Sequence, residues 1–519
     1  MHTLRNILSS FAAAAALVST VHAQCTDYQL RPTLQVTGGD PRDVSFGRVD
    51  GDAHLDLVVP EYLSGFVRVS LGHGDGTFSA PVGWPAGERP RAAQLGDLDG
   101  DGDLDIAVCN EGSLAGAGWQ GYGLTVLWNS NGTFGSSSFF ALPSGVILAR
   151  DLAVGDVDAD GDIDVAMVAK GSGLNNSKLA SFVNLGGGSF APATLATTGY
   201  DPIALELGDL NGDAWLDAVT VNATSSSMTI LNGTANGSFV TVFGHSAGST
   251  PNGIALGDLD GDGDLDGVLS YRYGLLVLLN TNGILEWSST LSAGLYPFGV
   301  ACADLDRDGA LDVISTDAPT DTLYVFDGDG AAGFSLRTSF VVGDNPSFIE
   351  PVDIDQDGDL DLGVLVYNDD GVKLLENACL LGTYCVAKPN SLGCLPSIGW
   401  SGVPSLAGLD DFHVTASSEL SGKVGLAFFG AAPAALPFGG GTLCVHPPLV
   451  RTPPQTASGP SSPSDCSGAY DFHAQTAWLL AHGWGAGASL HAQYWARDPS
   501  HPDGSTISLS NALVFEVLP

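Results

Sequence analysis

Short apolar runs separated by clusters of glycine, asparagine and aspartate occupy most of the chain. Runs such as RPRAAQL, LDIAVCN and LTVLWN have the length of single β-strands, and the turn residues between them are typical of hairpins. No segment of this region has a convincing helical period. The pattern therefore predicts an all-β fold built from short strands.

An aspartate-rich stretch recurs seven times within this pattern. Its second copy reads GDLDGDGDLDIAV, and the copies lie about fifty residues apart. They begin at Gly47, Gly96, Gly155, Gly208, Gly257, Ala303 and Val352. Strand-like runs flank each copy, so that a repeat contains four short strands. Seven repeats of four strands predict a seven-bladed β-propeller.

The seventh repeat supplies only three strands before the pattern ends. A strand-like run at residues 28–36, YQLRPTLQV, precedes the first repeat, and we expect it to complete the seventh blade. Because neighbouring strands of a blade are antiparallel, the start of this run would lie beside the end of the third strand. That arrangement predicts a disulfide between Cys25 and Cys379.

Residues 379–519 lack the repeat and predict a second domain, a smaller β-sandwich. Nearest-neighbour pairing predicts the disulfides Cys385–Cys394 and Cys444–Cys466 in this domain. Four cysteines nevertheless allow three connectivities.

The propeller is predicted to span residues 24–378, with Cys109 and Cys302 as buried free thiols. Residues 1–23 have the basic residue, apolar run and small final residues of a secretory signal peptide. No later segment is long and apolar enough to span a bilayer. We therefore expect a secreted or cell-surface protein, in a compartment where disulfides form.

The chain has 519 residues, of which 58 are acidic and 18 are basic, and a formal net charge of −40. A balance this negative, with no basic run, argues against nucleic acid or an anionic membrane as a partner. About half of the acidic side chains lie in the seven aspartate-rich copies. Cations are therefore the natural partners of this chain.

Alternating aspartates would repel one another along a strand, which indicates a loop wrapped around a cation. Oxygen ligands at alternating positions suit Ca²⁺, whereas Zn²⁺ favours His or Cys and Mg²⁺ stricter geometry. The second copy offers the side chains of Asp97, Asp99, Asp101 and Asp105 and the carbonyl of Asp103. An EF-hand needs a glutamate at the twelfth loop position and flanking helices, and this stretch has neither.

The seven copies resemble the FG-GAP or VCBS repeats of integrin α-subunit-like propellers, in which D-x-D-x-D-G-x-x-D loops bind calcium. The resemblance covers roughly residues 28–378 and implies an exported bacterial protein that acts in adhesion or ligand binding, with calcium mainly structural. Position by position, it implies calcium ligands at Asp156, Asp158, Asp160, Asp162 and Asp164; Asp209, Asn211, Asp213, Trp215 and Asp217; Asp258, Asp260, Asp262, Asp264 and Asp266; Asp304, Asp306, Asp308, Ala310 and Asp312; and Asp353, Asp355, Asp357, Asp359 and Asp361. Residues in the position of Asp103 would contribute a backbone carbonyl.

The first copy departs from this pattern. Arg48 stands at the first ligand position, before Asp50, Asp52 and Asp56. Its guanidinium offers a positive charge to offset these carboxylates, so we expect no calcium in the first repeat. The other six repeats predict about six ions.

The loops at the opposite ends of the predicted blades hold an unusual share of the aromatic residues. They are Tyr62, Trp119, Tyr122, Tyr200, Tyr271, Tyr273, Tyr296 and Tyr367. Aromatic rings with scattered arginines on a rigid rim suit sugar stacking or a protein epitope. We therefore predict an extracellular glycan or protein ligand at these residues; alternatively, the rings simply cover the ends of the blades.

A second hypothesis is an enzyme, a lyase or hydrolase, acting on extracellular polysaccharide. It needs paired carboxylates on the aromatic face, where Glu61, Glu88 and Glu111 are the loop glutamates. In the C-terminal region, histidines and Asp471 occur without a G-x-S-x-G or H-E-x-x-H motif. The sequence thus favours binding and leaves catalysis open.

Overall fold

The computed structural model describes residues 28–517, apart from 32, 36–38, 116–117, 174–175, 307, 357–358, 378–380, 386, 403, 407–409, 411, 460–464 and 486–487. The predicted signal peptide, the predicted Cys25–Cys379 bridge and Asp357 lie outside the described residues. The chain divides into a larger compact unit, Cys25–Gly382, and a smaller one that includes Thr383–Pro519.

The larger unit contains six antiparallel four-stranded sheets and one five-stranded sheet in its described part, here called blades 1 to 7. Blade 1 is Ser45–Gly47, Asp56–Glu61, Phe66–Ser70 and Val82–Pro85; blade 2 is Pro90–Gly96, Asp105–Asn110, Gly123–Trp128 and Ser136–Ala141; blade 3 is Val146–Gly155, Asp164–Gly171, Lys178–Phe182 and Thr194–Thr197; blade 4 is Pro202–Gly208, Asp217–Asn222, Ser227–Asn232 and Val240–Ser246. Blade 5 is Ile254–Gly257, Asp266–Tyr271, Gly274–Asn280 and Leu285–Leu291; blade 6 is Pro297–Ala303, Asp312–Asp317, Thr322–Gly328 and Phe334–Val341, with a 3₁₀ turn at Ala318–Thr320; blade 7 is Pro346–Val352, Asp361–Val366, Gly371–Asn377 and Tyr28–Leu30, with the short strand Leu34–Gln35 beside it. A hairpin of Ser113–Ala115 and Gly118–Gln120 extends from blade 2.

The blades follow one another in a closed cycle. The first strands of consecutive blades pack together, and the first strand of blade 7 contacts that of blade 1. Tyr28–Leu30 pairs antiparallel with Gly371–Asn377, with Tyr28 opposite Asn377. This confirms that the N-terminal strand completes the seventh repeat, and the fold is all-β and propeller-like, as the repeat pattern predicts.

The second strand of each blade lies deepest in the sheet. In five blades every residue of this strand is buried: Asp56–Glu61, Asp105–Asn110, Asp217–Asn222, Asp312–Asp317 and Asp361–Val366. The middle of these strands is mainly apolar because neighbouring blades cover both faces, and a buried polar residue ends four of them: Glu61, Asn110, Asn222 and Asp317. An aspartate starts the strand in all seven blades, so the aspartate-rich turn is anchored directly at the core.

Two cysteines of the larger unit are free thiols, as the sequence predicted. Cys109 lies in the second strand of blade 2 and is fully buried, whereas Cys302 lies in the first strand of blade 6 and is partly buried. Burial raises the pKa of both thiols, that of Cys302 to about 12. Neither is therefore a thiolate nucleophile at neutral pH.

The smaller unit contains a six-stranded sheet, a three-stranded sheet, a hairpin and one short helix in its described part. The six strands are Leu381–Tyr384, Ile507–Glu516, Ser489–Arg497, Val424–Gly430, Val450–Arg451 and Gln455–Thr456; the three are Ser397–Ser401, His413–Glu419 and Gly468–His473; the hairpin is Pro433–Phe438 with Gly441–Val445. The sequence did not predict the helix, Thr476–Ala481. None of the described helices has the length and apolarity needed to cross a membrane.

The nearest-neighbour disulfides predicted for this unit are wrong. Cys385 bonds to Cys444 and Cys394 to Cys466, with Cα separations of 6.3 and 6.4 Å. Sheet order explains the pairing. Cys385 follows the edge strand that pairs with Ile507–Glu516, and the hairpin strand that carries Cys444 packs on the same strand.

Candidate metal centres and ligand-binding face

The predicted calcium ligands lie in the turn between the first and second strands of each blade. In blade 2, one carboxylate oxygen from each of Asp97, Asp99 and Asp105 lies within 4.8 Å of the others. Asp97 accepts hydrogen bonds from the backbone N–H groups of Gly100 at 2.8 Å and Gly102 at 3.1 Å. The turn is therefore folded around a carboxylate, with further oxygens directed at the same point.

Comparable oxygen clusters occur in other blades. They are Asp156, Asp158 and Asp164 in blade 3; Asp258, Asp260 and Asp262 in blade 5; and Asp304, Asp306 and Asp308 in blade 6. In blade 4, Asp209 accepts hydrogen bonds from three successive backbone N–H groups, those of residues 212–214. A donor set made only of oxygen atoms is the kind that Ca²⁺ prefers.

The residues predicted to offer a backbone carbonyl belong to the same turns. Each donates its own backbone N–H to the aspartate two positions earlier: Asp103, Asp162, Trp215, Asp264 and Ala310. The turn of blade 7 carries Asp353, Asp355, Asp359 and Asp361 among the described residues. Six turns thus share one local geometry or one sequence pattern.

The last aspartate of each turn also supports the sheet. Asp105 is 1% exposed and accepts backbone N–H groups from Leu98 at 3.1 Å and Asn129 at 2.7 Å. An equivalent pair of bonds occurs in every blade. Burial raises the pKa of Asp105 to about 6. This carboxylate joins the turn to the end of the third strand, in addition to facing the predicted ion.

Asparagine side chains connect the turns of adjacent blades. Asn184, just after the third strand of blade 3, donates its Nδ2–H groups to the carbonyl of Leu98 in the blade 2 turn at 2.8 Å and to that of Ile163 at 3.0 Å. Asn129, Asn280 and Asn377 make equivalent bonds from blades 2, 5 and 7. This role was not predicted from the sequence, although an asparagine closes the third apolar run of these repeats.

Blade 6 differs because a guanidinium enters its aspartate turn. Arg337 Nη2 lies 2.7 Å from Asp306 Oδ2 and 3.1 Å from Asp312 Oδ2, and Arg337 Nε contacts Asp327. The side chain of Arg337 is only 2% exposed. A positive charge from the protein therefore contacts two of the predicted calcium ligands.

Blade 1 does not show the expected compensation. Arg48 Nε donates a hydrogen bond to the carbonyl of Ala53 at 2.9 Å. Within the described residues, Arg48 forms no ion pair with Asp50, Asp52 or Asp56. The guanidinium is instead part of the exposed edge of the turn.

The predicted ligand-binding tyrosines lie at the opposite ends of the strands. Arg42 lies over two of them, with its guanidinium carbon 4.7 Å from the ring centroid of Tyr62 and 4.8 Å from that of Tyr367. Arg42 also donates to the Tyr367 hydroxyl at 3.1 Å, and the Tyr62 hydroxyl donates to Glu111 at 2.7 Å. Blades 1, 2 and 7 thus share one network of rings and charges.

The remaining rings are spread around the same face. Lys170 lies 5.1 Å from the ring centroid of Tyr200, and Arg272 lies 5.7 Å from that of Tyr273, which is 65% exposed. Tyr271 packs edge-on against Tyr273. Tyr122, Tyr296 and Trp119 occupy the corresponding loops or hairpin of blades 2 and 6. Four of the predicted rings therefore lie beside a basic side chain: Tyr62, Tyr200, Tyr273 and Tyr367.

A cavity of about 490 Å³ lies among the first strands of the blades and the segments just before them, and all seven blades contribute lining residues. Arg42 and Tyr367 belong to its wall, so that it is continuous with the aromatic network. This cavity was not predicted from the sequence, because it depends on which side chains of these strands and segments face the centre.

In the smaller unit, two histidines are brought together across neighbouring strands. His413 and His473 are opposite one another and their rings stack with centroids 4.5 Å apart. His413 Nδ1 lies 2.6 Å from Asp471 Oδ1. The pair is a local contact between neighbouring strands of the three-stranded sheet.

Comparisons with known proteins agree with the repeat pattern. The model of the FG-GAP-like repeat matches residues 48–108, 156–220, 209–269 and 304–364. No curated protein matches the chain. Similar solved structures include BBS1N in complex with ARL6DN (10% identity, 67% of this chain and 97% of that chain, TM-score 0.49), a lectin of Agrocybe aegerita that recognises non-reducing terminal N-acetylglucosamine (22%, 58% and 80%, 0.40), and a protein from Lactobacillus plantarum (16%, 62% and 89%, 0.45). FG-GAP-like repeats are thus present in four regions of this chain, and each region spans two of the recurring aspartate stretches.

Proposed function

We propose that this chain is an exported, calcium-stabilised propeller that binds an extracellular glycan or protein ligand. Calcium would hold the turns at one end of the blades, and the ligand would dock at the other end. Export is supported by the leader-like residues 1–23 and by two disulfides in the smaller unit.

The turns of blades 2, 3, 4, 5 and 7 are the proposed calcium sites. Oxygen clusters in blades 2, 3 and 5, and the matching turn or sequence in blades 4 and 7, fit a hard cation with flexible coordination. Each ion would neutralise carboxylates that otherwise repel one another, and would stabilise the turn. Blade 6 is left out because Arg337 already contacts its carboxylates, which gives five ions in place of the six that the sequence predicts.

The observation that carries the ligand-binding role is the network around Arg42. Rings of Tyr62 and Tyr367 stack on a guanidinium at the wall of a large cavity, on a face formed by loops. Rigid aromatic side chains combined with hydrogen-bonding groups are suited to sugars and to protein epitopes.

The loop glutamates favour binding over catalysis. Glu111 accepts hydrogen bonds from Arg91, Arg150 and Tyr62, and Glu61 pairs with Arg68 at 2.9 Å. Carboxylates held in this way position neighbouring side chains. An enzyme acting on polysaccharide stays the alternative function.

Incubation of residues 24–519 with a panel of immobilised polysaccharides and extracellular proteins in calcium tests the proposal. We expect retention on one class of ligand, loss of retention when calcium is chelated, and no shortened products by mass spectrometry. Products would support the enzyme instead, and retention on none of the ligands would contradict the binding function.

A further inference from the structure

Three arginines occupy the same register position in three consecutive blades. Arg42, Arg91 and Arg150 each stand five residues before the glycine that ends the first strand of their blade, and all three line the cavity. Arg91 and Arg150 share the carboxylate of Glu111, which also accepts from the hydroxyl of Tyr62. Because Arg42 lies over the Tyr62 ring, the three arginines lie together on one side of the cavity.

The three arginines share their carboxylate partners and keep N–H groups without a hydrogen bond, among them Nε of Arg42 and of Arg150. Glu111 Oε2 accepts from Arg91 Nη1 at 3.1 Å and from Arg150 Nη1 at 2.8 Å, so one carboxylate serves two guanidinium groups. Arg42 pairs with Asp40 at 2.8 Å, and Arg150 Nη2 lies 3.6 Å from Asp201 Oδ1. Among the described residues, Arg91 makes no side-chain hydrogen bond besides that to Glu111. Burial lowers the pKa of Arg91, and repulsion from Arg150 adds to the effect. Arg91 therefore has donors available for an anion.

Two other carboxyl groups of the wall are already used between blades. Asp43 accepts the backbone N–H of Ala93 in blade 2 at 3.0 Å, and Asp151 accepts that of Leu205 in blade 4 at 2.9 Å. Burial raises the pKa of Asp43 to about 7 and that of Asp151 to about 6. They join neighbouring blades.

A second layer of polar groups lies closer to the aspartate turns. Gln94, Glu206 and Glu350 each stand two residues before the end of their first strand and line the same cavity. Glu350 accepts one hydrogen bond, from the backbone N–H of Phe46 at 3.3 Å, and Glu206 has no hydrogen-bond partner within the described residues. Burial raises the pKa of both glutamates to about 8. At neutral pH they are mainly carboxylic acids, which both donate and accept hydrogen bonds.

We propose that the cavity binds a sugar acid: a uronic acid, either free or at the end of an acidic polysaccharide. Its carboxylate would pair with Arg91 and Arg150, and its hydroxyl groups would hydrogen-bond to Gln94, Glu206 and Glu350. Arginine binds carboxylates through paired hydrogen bonds, and a cavity of about 490 Å³ accommodates one or two sugar rings. A neutral sugar would leave the arginine donors without an anion. This inference rests on the proposed ligand-binding function and specifies its ligand class.

Calorimetric titration of residues 24–519 at pH 7 in saturating calcium tests the inference. Glucuronate and a glucuronate oligomer are the probes, and methyl glucoside, which has the same ring without the carboxylate, is the control ligand. We expect at least one of the two acids to bind more than about tenfold tighter than methyl glucoside. Binding of the monomer would identify a free sugar acid, and binding of the oligomer alone would identify a chain end.

Three variants locate the site. Arg91→Gln is expected to weaken binding of the acid at least about tenfold, and Glu206→Gln by a smaller factor, because it keeps a neutral hydrogen-bonding group. Arg272→Gln removes the same charge from the same face but outside the cavity, so the affinity of this variant for the acid should be unchanged. Thermal melts show that each variant is folded.

Equal affinity for methyl glucoside, undiminished binding by folded Arg91→Gln, or no binding of either acid would overturn the inference. Retention of the chain on another polysaccharide or on a protein, without competition by glucuronate, would overturn this ligand class while the proposed function stands. Failure of retention on every ligand tested would instead count against the proposed function itself.

Discussion

The aspartate turns of blades 2 and 6 have nearly the same sequence and different surroundings. In blade 2, Asp97, Asp99 and Asp105 bring their oxygens together with no basic side chain of the described residues paired to them. In blade 6, Arg337 reaches the equivalent turn from the fourth strand and contacts Asp306 as well as the strand-starting aspartate. The comparison shows that a guanidinium occupies, in blade 6, the place where the proposed function puts an ion in blade 2.

The strand-starting aspartate is the shared feature of the two turns that would gain from a cation. Asp105 and Asp312 are both 1% exposed, and each accepts two backbone N–H groups. Burial raises the pKa of Asp312 to about 7, against about 6 for Asp105. A carboxylate in such a place is held by hydrogen bonds but still gains from a nearby cation.

Calcium removal should have the largest effect. If the sites have dissociation constants near 10⁻⁴ M, a calcium concentration 100-fold higher stabilises the larger unit by ~2.7 kcal/mol per site. We expect a chelator to lower the unfolding temperature of this unit and to leave that of the smaller unit unchanged. Calorimetry measures both temperatures. Equilibrium dialysis should count five ions. Identical melting with and without calcium would contradict the calcium assignment.

Arg337→Gln should have the next largest effect. It leaves buried carboxylates without their cation and, in the absence of calcium, should lower the free energy of unfolding by about 3–5 kcal/mol. Calcium should then restore most of the loss and one additional ion should bind. Arg31→Gln, which removes a partly exposed arginine paired with Glu376, should cost less than about 1 kcal/mol. An unchanged ion count in Arg337→Gln would show that Arg337 does not replace an ion.

The repeats made most of this fold predictable. Alternating strands and turns, the seven spaced copies and the run at 28–36 indicate the sheets and the strand that closes the ring, because these features depend on local sequence. The aspartate turns are predictable for the same reason. Each is a contiguous stretch in which backbone N–H groups donate to aspartate side chains two to five positions away, as Gly102 donates to Asp97.

Contacts between distant residues were not predictable. Arg337 follows Asp312 by 25 residues, and no local pattern shows that its side chain turns into the loop. The disulfide Cys385–Cys444 depends on a sheet order that brings distant strands together. The cavity depends on register across blades, which shows only when Arg91 and Arg150 are aligned on the ends of their strands.

Glu419 in the smaller unit is a third case, a buried carboxylate that has no cation beside it among the described residues. It accepts one hydrogen bond, from Ser508 at 3.0 Å, and burial raises its pKa to about 7. The folded state therefore holds a proton that the unfolded state releases near pH 4.5, so stability falls as pH rises between these values. Glu419→Gln should remove this loss, up to about 3 kcal/mol at pH 8 relative to pH 5. Thermal melts of the unmodified chain and of Glu419→Gln at the two pH values provide the measurement. If the stabilities of the two proteins change in parallel with pH, the prediction is wrong.

Asn129→Gly makes blade 2 resemble blade 6, where Gly328 occupies the equivalent position. The change keeps the backbone bond to Asp105 but removes three side-chain bonds. These are the bonds to the carbonyls of Val49 at 2.7 Å and Leu104 at 2.9 Å, and the bond from the backbone N–H of Gly132 at 2.9 Å. We expect a loss of about 3 kcal/mol in the free energy of unfolding, since each net hydrogen bond contributes about 1 kcal/mol.

The matched control for this variant is Asn131→Gly, two residues further on. Asn131 has a positive φ of 51°, which glycine adopts without strain, and donates only its backbone N–H to Asp103. The free energy of unfolding of Asn131→Gly, measured by denaturant titration, should therefore stay close to that of the unmodified chain. If Asn129→Gly is equally neutral, the bond between blades 1 and 2 adds nothing to stability, and the charge in each turn acts within its own blade. A loss confined to Asn129→Gly would show that adjacent turns stabilise one another, so that an ion in one blade also supports its neighbour.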